Sequence, residues 1–210
     1  MQPLINSIEV LKKSQIKKIV DSRMKEFSEL GNKNFKEIFK ELCFCLLTAN
    51  FSAQGGIKIQ KEINNEFLTL SEIDLAKKLS ELGHRFPNAR AGYIFLARQK
   101  INDLRKILKG DESDLKKREE IVKNIKGLGM KEASHFLRNI GYKNLAIIDF
   151  HIIDLLVKNN LIEKPKNKSL TSKKYLEIEN LLKQIAEKTN LTLGELDLYL
   201  WYEETGKILK

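Results

Sequence analysis

Ile125-Lys126-Gly127-Leu128-Gly129-Met130-Lys131-Glu132-Ala133 sets two glycines, two positions apart, between segments of helical periodicity. Glycine has no Cβ, so the backbone can turn tightly there and approach another surface closely. Upstream, Asp111 is expected to cap a helix running to about Ile125. Downstream, Ala133, Phe136, Leu137 and Ile140 form an apolar stripe at helical spacing, ended by Gly141, with Lys131, Ser134, His135 and Arg138 on the opposite, polar face. The pattern predicts a hairpin between two helices over about 115–140. Free N–H groups at the start of the second helix suit a phosphate oxygen. An ordinary turn between helices with a glycine stop is the plainer alternative.

Outward from this hairpin the chain also reads as helix. Ile8, Leu11, Ile16, Ile19, Val20 and Met24 form one amphipathic stretch, and Phe35 to Ala49 a largely buried one. Ala53 to Phe67 follows, then a helix opened by Ser71-Glu72-Ile73-Asp74 and stopped at Gly83. Pro87 fits the first turn of a helix carrying Tyr93, Ile94, Leu96, Ala97 and Ile101. Asp149 is a strong N-cap for a helix through Val157, Lys164 to Lys168 reads as a surface loop, Thr171 opens a helix to Lys188, and Thr192-Leu193-Gly194-Glu195 is a capping box for the last helix. Only 11 Gly and 3 Pro punctuate 210 residues, which argues against a turn-dense β-sandwich or barrel. The expectation is an all-α chain of about ten helices.

Composition narrows the function classes. The 38 Lys+Arg against 28 Asp+Glu give a net charge of +10, which nominates a polyanionic partner without settling it. No apolar run approaches a bilayer span, and the first residues show no secretory pattern, so the expectation is a cytoplasmic protein with no membrane partner. Cys43 and Cys45 sit two apart in a helix and point away from each other, which predicts buried free thiols rather than a disulfide. Two thiols cannot make a four-ligand zinc or iron–sulfur site, and His135 and His151 have no third ligand nearby, so no metal site is expected.

Downstream stands Ala146-Ile147-Ile148-Asp149-Phe150-His151, with Asp149 eighteen residues beyond Lys131. The apolar–x–Gly–apolar–Gly turn, the Lys and the downstream Asp-x-His together resemble the helix–hairpin–helix superfamily of DNA base-excision glycosylases. That resemblance implies Lys131 as a Schiff-base nucleophile, Asp149 as the shared catalytic carboxylate, and Gly127, Leu128 and Gly129 as the DNA-binding hairpin. The chemistry fits these residue types. Breaking an N-glycosidic bond builds positive charge on the sugar, which a nearby carboxylate stabilises. A Lys amine can attack C1′ and permit strand cleavage by β-elimination. The absence of any Cys after Cys45 sets aside the iron–sulfur branches of the superfamily, and Lys131 leans against the alkylpurine branches.

Glu41-Leu42-Cys43-Phe44-Cys45-Leu46-Leu47-Thr48-Ala49-Asn50-Phe51, Gly83-His84-Arg85-Phe86, and the segment from Leu196 through Trp201 to Lys207 with Lys210 at the end are similar to the archaeal-type 8-oxoguanine DNA glycosylase/AP lyases. The resemblance covers nearly the whole chain. It implies one helix–hairpin–helix glycosylase unit over 1–210, with two interleaved helical subdomains and the active site between them. It also implies a monomer acting on duplex DNA containing 8-oxoguanine, with no cofactor and room for a structural cation at the hairpin carbonyls. For base recognition it implies Lys210, which separates 8-oxoguanine from guanine, together with Phe86, Asp197 and Trp201. Phe86 also reads as a hydrophobic staple, Trp201 as core, and Asp149 as a plain cap. A non-catalytic DNA-binding module would need the hairpin and basic face but neither Lys131 nor Asp149, and a glycosylase for a different lesion would keep both.

Overall fold

A computed structural model describes residues 1–165, 167 and 169–210; they form twelve α-helices and one 3₁₀ turn, with no strand among the described residues. The helices are α1 Gln2–Lys12, α2 Ile16–Gly31, α3 Phe35–Thr48, α4 Ala53–Ile63, α5 Glu72–Glu81, α6 Pro87–Gln99, α7 Ile101–Lys109, α8 Asp114–Asn124, α9 Met130–Asn139, α10 Phe150–Lys158, α11 Ser172–Lys188 and α12 Leu193–Thr205. Of the expected loop at Lys164 to Lys168, Lys166 and Lys168 lie outside the described residues, while Lys164 is exposed and 3.9 Å from Asp154.

The all-α expectation holds, with slightly more helices than the periodicity suggested. The first amphipathic stretch divides at Ser14, whose hydroxyl donates to the Leu11 carbonyl (2.7 Å) and accepts from the Ile16 N–H (3.1 Å). These are the free groups of a helix end and a helix start, so one side chain serves both. The stretch from Pro87 to Ile101 breaks at Lys100, where α7 begins. Residues 53–67 leave the α-helix at Ile63, where Asn64 turns to φ 45° and opens the 3₁₀ segment Asn64–Leu68. The cap of α8 is Ser113 rather than Asp111: its hydroxyl accepts from the Lys116 N–H at 3.3 Å, two residues later than expected. The capping box at Thr192 and Glu195 is complete in both directions.

Packing gathers these helices around separate apolar cores. The larger centres on α3, buried on every side from Ile38 to Thr48, and takes in α4 to α9 through Ile59, Leu75, Ile94, Leu104, Ile121 and Phe136. The second joins the two ends of the chain: Leu4, Ile5 and Ile8 of α1 pack with Leu155, Ile178, Leu182 and Leu196 of α10, α11 and α12. A smaller cluster fixes α2 to α12 through Val20, Met24, Phe27, Leu198 and Tyr199. Cys43 and Cys45 are free and fully buried in the larger core, and burial pushes both thiols up. Among the described residues no helix is long and apolar enough to cross a membrane.

The polar face expected for α9 is covered by other helices. Ser134, His135 and Arg138 are buried, not solvated. While the apolar stripe of α9 joins the larger core, the opposite face is closed by α11 and α12, whose Tyr175 and Asp197 meet Ser134 and Arg138. Ser134 and one Arg138 nitrogen find partners there, while both ring nitrogens of His135 and two further nitrogens of Arg138 have none.

Candidate active site

The hairpin between α8 and α9 needs one glycine more than the other. Gly127 sits at φ 95°, and a Cβ there would come within 2.4 Å of the Tyr93 ring, so both backbone and packing exclude a side chain. Gly129, by contrast, is extended at φ −94° and a Cβ would meet nothing nearer than the Glu132 carboxylate at 3.4 Å. Its intrinsic freedom is not used by the turn. Leu128 between them is buried and pins the hairpin to the larger core. No side chain caps α9 at Gly129, which leaves the first-turn N–H groups without that partner.

Lys131 lies in this first turn, about a quarter exposed, with Nζ 3.8 Å from Glu132 Oε1. Asp149 caps α10, its Oδ1 accepting from the Ile152 N–H at 3.0 Å. The segment entering Asp149 is itself tied down. The Ala146 N–H donates to Glu179 Oε1 (2.9 Å), while the Tyr175 hydroxyl donates to the Ala146 carbonyl (2.7 Å) and accepts from the Ile148 N–H (3.3 Å). Glu179 is gripped in turn by both terminal nitrogens of buried Arg118 at 2.6 and 2.8 Å. Helices α8 and α11 therefore hold the backbone that presents Asp149.

Asp197 joins the two. Its carboxylate lies 3.5 Å from Arg138, and its pKa is pushed up from 3.8 to about 6, first by burial. Ala146, Ile147 and Leu196 line the small cavity at its side. Arg138 and Lys131 oppose the rise, and the negative charge of Asp149 adds to it. Arg138, Lys131 and Asp149 are thus each within electrostatic reach of Asp197.

Lys210 arrives at the junction of the cores from the chain's other end. Its ammonium donates to Glu41 Oε2 (2.9 Å) and to Gln60 Oε1, and stands 4.3 Å from the centre of the Phe44 ring. The Lys210 main chain lies near His135, whose two ring nitrogens have no partner within hydrogen-bond geometry. Burial and the positive charges of Arg138 and Lys131 push the His135 pKa down, so this imidazole is neutral.

Phe86 and Trp201 stand apart from this ion network. Phe86 sits at the N-cap of α6, 38% exposed, with the Arg85 guanidinium over its ring at 5.1 Å. Its N–H donates to His84 Nδ1 (3.0 Å), and His84 Nε2 meets the Leu47 carbonyl (2.9 Å), so the turn is held by a neutral imidazole. Trp201 is half-buried, edge-on to His151 with centroids 4.7 Å apart, and its indole N–H is buried without a partner. Sequence reasoning missed Glu41, Gln60, Arg118, Glu179 and Tyr175. Glu41 carried a signal, since it is a carboxylate directly before the apolar run Leu42 to Leu47. No group of His, Cys, Asp and Glu able to hold a metal occurs among the described residues.

Comparison with known proteins agrees with this architecture. The family described as 8-oxoguanine DNA glycosylase matches residues 20–191. The chain is 56% identical over 207 residues, 99% of each chain, to the 8-oxoguanine DNA glycosylase/AP lyase of Methanocaldococcus jannaschii, and 44% identical over the full length to that of Thermotoga maritima. Among solved structures it resembles the Methanocaldococcus jannaschii 8-oxoguanine glycosylase/lyase in complex with 15mer DNA containing 8-oxoguanine, with a TM-score of 0.94 at 55% identity over 99% of each chain. It also resembles the 8-oxoguanine DNA glycosylase of Thermotoga maritima, with a TM-score of 0.92 at 43% identity, covering 100% of this chain and 99% of that one. With an all-helical fold, a hairpin opening onto Lys131 and a helix capped by Asp149, the chain belongs to the 8-oxoguanine DNA glycosylase family.

Proposed function

We infer that this protein removes 8-oxoguanine from duplex DNA and then cleaves the strand at the abasic site. The observation that carries the reading is a hairpin with an uncapped helix start that puts Lys131 in the first turn of α9, with the Asp149 carboxylate at the N-cap of α10 and both charges felt at Asp197. The family match and the DNA complex of the relative at 55% identity support a bifunctional enzyme over a DNA-binding module.

The residues divide the work as follows. The hairpin N–H groups bind a phosphate beside the lesion, with Gly127 giving the turn and Leu128 anchoring it. The damaged nucleotide leaves the stack and enters the junction. The Lys131 Nζ lone pair forms a bond to C1′ as the bond from C1′ to base N9 breaks, and the base departs with that electron pair and gains a proton. Asp149 lowers the barrier by facing the positive charge that develops on the sugar. Loss of a proton from the new C–N bond and opening of the sugar ring give a Schiff base. Removal of a C2′ proton then expels the 3′ phosphate by β-elimination, and water releases Lys131.

Lys210 selects the base, with Phe86, Asp197 and Trp201 contributing to its pocket. Guanine and 8-oxoguanine differ at N7, an acceptor in guanine and an N–H in the lesion, and at the added C8 oxygen. These steps take no redox cofactor or catalytic metal; a cation on the hairpin carbonyls would serve only to hold the turn. The proposal includes a monomer acting on DNA in the cytoplasm.

The test is a panel of duplexes, undamaged or carrying 8-oxoguanine, an alkylated purine or an oxidised pyrimidine, each incubated with borohydride. A trapped adduct and a cut strand on 8-oxoguanine are expected. Adducts chiefly on another lesion would reassign the substrate, and DNA binding with no adduct would reduce the protein to a binding module.

A further inference from the structure

Glu41 is the least expected residue of the larger core. It is 2% exposed and sits in the middle of α3, beside the buried Ile38, Phe44 and Cys45 on the same side of the helix. A buried carboxylate is costly unless its oxygens are fully partnered. Here both are. Oε1 accepts from Asn139 Nδ2 of α9 at 2.6 Å, and Oε2 accepts from Gln60 Nε2 of α4 at 3.0 Å and from Lys210 Nζ at 2.9 Å. Gln60 is oriented by its own second bond, Nε2 to the Lys40 carbonyl at 3.0 Å, which aims its Oε1 at the Lys210 ammonium. The Phe44 ring, one turn along α3 from Glu41, closes the remaining side.

Lys210 lies beyond the end of α12, held by no helix of its own. Its place at the junction is fixed by that carboxylate, that amide and that ring. A long side chain with no such anchor would have many rotamers and no defined position against a base. We propose that Glu41, aided by Gln60, is a specificity-determining positioning residue: it seats the Lys210 ammonium on the floor of the base pocket, so that discrimination of 8-oxoguanine from guanine depends on a residue that need not touch the base. The inference rests on the reading of Lys210 given above, but the seat itself is measurable without DNA.

Two measurements separate the seat from the recognition role. Residue-resolved acetylation of the free protein, followed by mass spectrometry, reads the accessibility of the Lys210 amine against exposed Lys25 as internal reference. In Glu41→Gln, which keeps the shape but turns a donor toward the ammonium, Lys210 should acetylate at least three-fold faster relative to Lys25. Gln60→Met, which leaves Glu41 in place, should give a smaller increase and serves if the first variant does not fold. Excision of 8-oxoguanine in either variant should fall at least ten-fold more than trapping at a bare abasic site. Adding Lys210→Ala to either should cost little further, because the two changes remove one device. Unchanged acetylation in the folded variants overturns the seat. Independent, multiplying losses overturn the link to specificity. If Lys210→Ala alone lowers excision and trapping equally, the recognition role of Lys210 fails, and the positioning role in specificity fails with it; acetylation then still reports whether the seat exists.

Discussion

Phe39, Leu42, Leu46 and Phe136 fill the larger core as apolar side chains packed against one another, whereas Arg118, Glu179, Arg138 and Glu41 are nearly as deeply buried between the helices yet charged, with Asp197 only 11% exposed beside Arg138. The first set is what any helical chain needs to fold: apolar area removed from water, at about 25 cal/mol per Å². The second set is expensive by the same measure, since a buried ion pair often contributes less than apolar residues of equal volume. Its retention is explained by what it holds. Arg118 and Glu179 grip the backbone leading into Asp149, Arg138 pairs with Asp197, and Glu41 holds Lys210. The cores give the fold its stability, and the charged junction between them gives the site its geometry.

Substitutions in the two regions should therefore fail in different ways. At the junction, Asp149→Asn keeps a serviceable helix cap and removes only the charge, so base excision should fall by roughly 10²–10³-fold with little change in melting temperature. Single-turnover excision and a thermal scan of the same sample check it. Excision within a few-fold of the parent would make the carboxylate merely structural. In the core, Leu42→Ala should cost about 2–5 kcal/mol of unfolding free energy through the cavity it leaves. Borohydride trapping per folded molecule should be little altered, and a selective loss of trapping without loss of stability would blur the contrast.

The hairpin offers a finer cut. Gly127→Ala meets both the strained φ and the Tyr93 ring, and should cost roughly 2–4 kcal/mol with weaker binding to every duplex. Gly129→Ala has room in the free protein and should change stability by less than about 1 kcal/mol. Its binding loss should extend to damaged and undamaged DNA alike, because any crowding is with the phosphate backbone. Urea melts and titrations with both duplexes distinguish these outcomes.

The junction also predicts a pH dependence. Folding raises the Asp197 carboxyl from 3.8 to about 6, so the folded protein holds that proton more tightly than the unfolded chain. This contribution is fully present below about pH 4 and is lost as pH rises to about 6, up to some 3 kcal/mol at about 1.4 kcal/mol per unit. Asp197→Asn should remove that downward contribution to the slope between pH 4 and 6, whatever its effect on absolute stability. Identical pH profiles in parent and variant would show that the junction does not perturb this carboxyl.

The same contrast explains what the sequence made legible. Apolar periodicity and caps are local, so α3, α9, α11 and the box at Thr192 were readable, and Asp149 was readable as a cap. Breaks made by one side chain serving two helix ends, as at Ser14, leave the apolar period intact and were invisible. The polar face of α9 was visible, but a helix cannot announce whether such a face meets water or another helix; only the return of α11 and α12 decides it. Pairs such as Arg118 with Glu179 and Lys210 with Glu41, 61 and 169 residues apart, leave no local mark at all.

In the proposed reaction Lys131 is the group that joins the DNA. Borohydride reduction on an 8-oxoguanine duplex, followed by proteolysis and mass spectrometry of the cross-linked peptide, locates the attachment directly. The nucleotide remnant should sit on Lys131 among the 31 lysines, and Lys131→Gln should give no adduct while still binding the duplex. A remnant on any other residue, or an adduct of undiminished yield from Lys131→Gln, would contradict it.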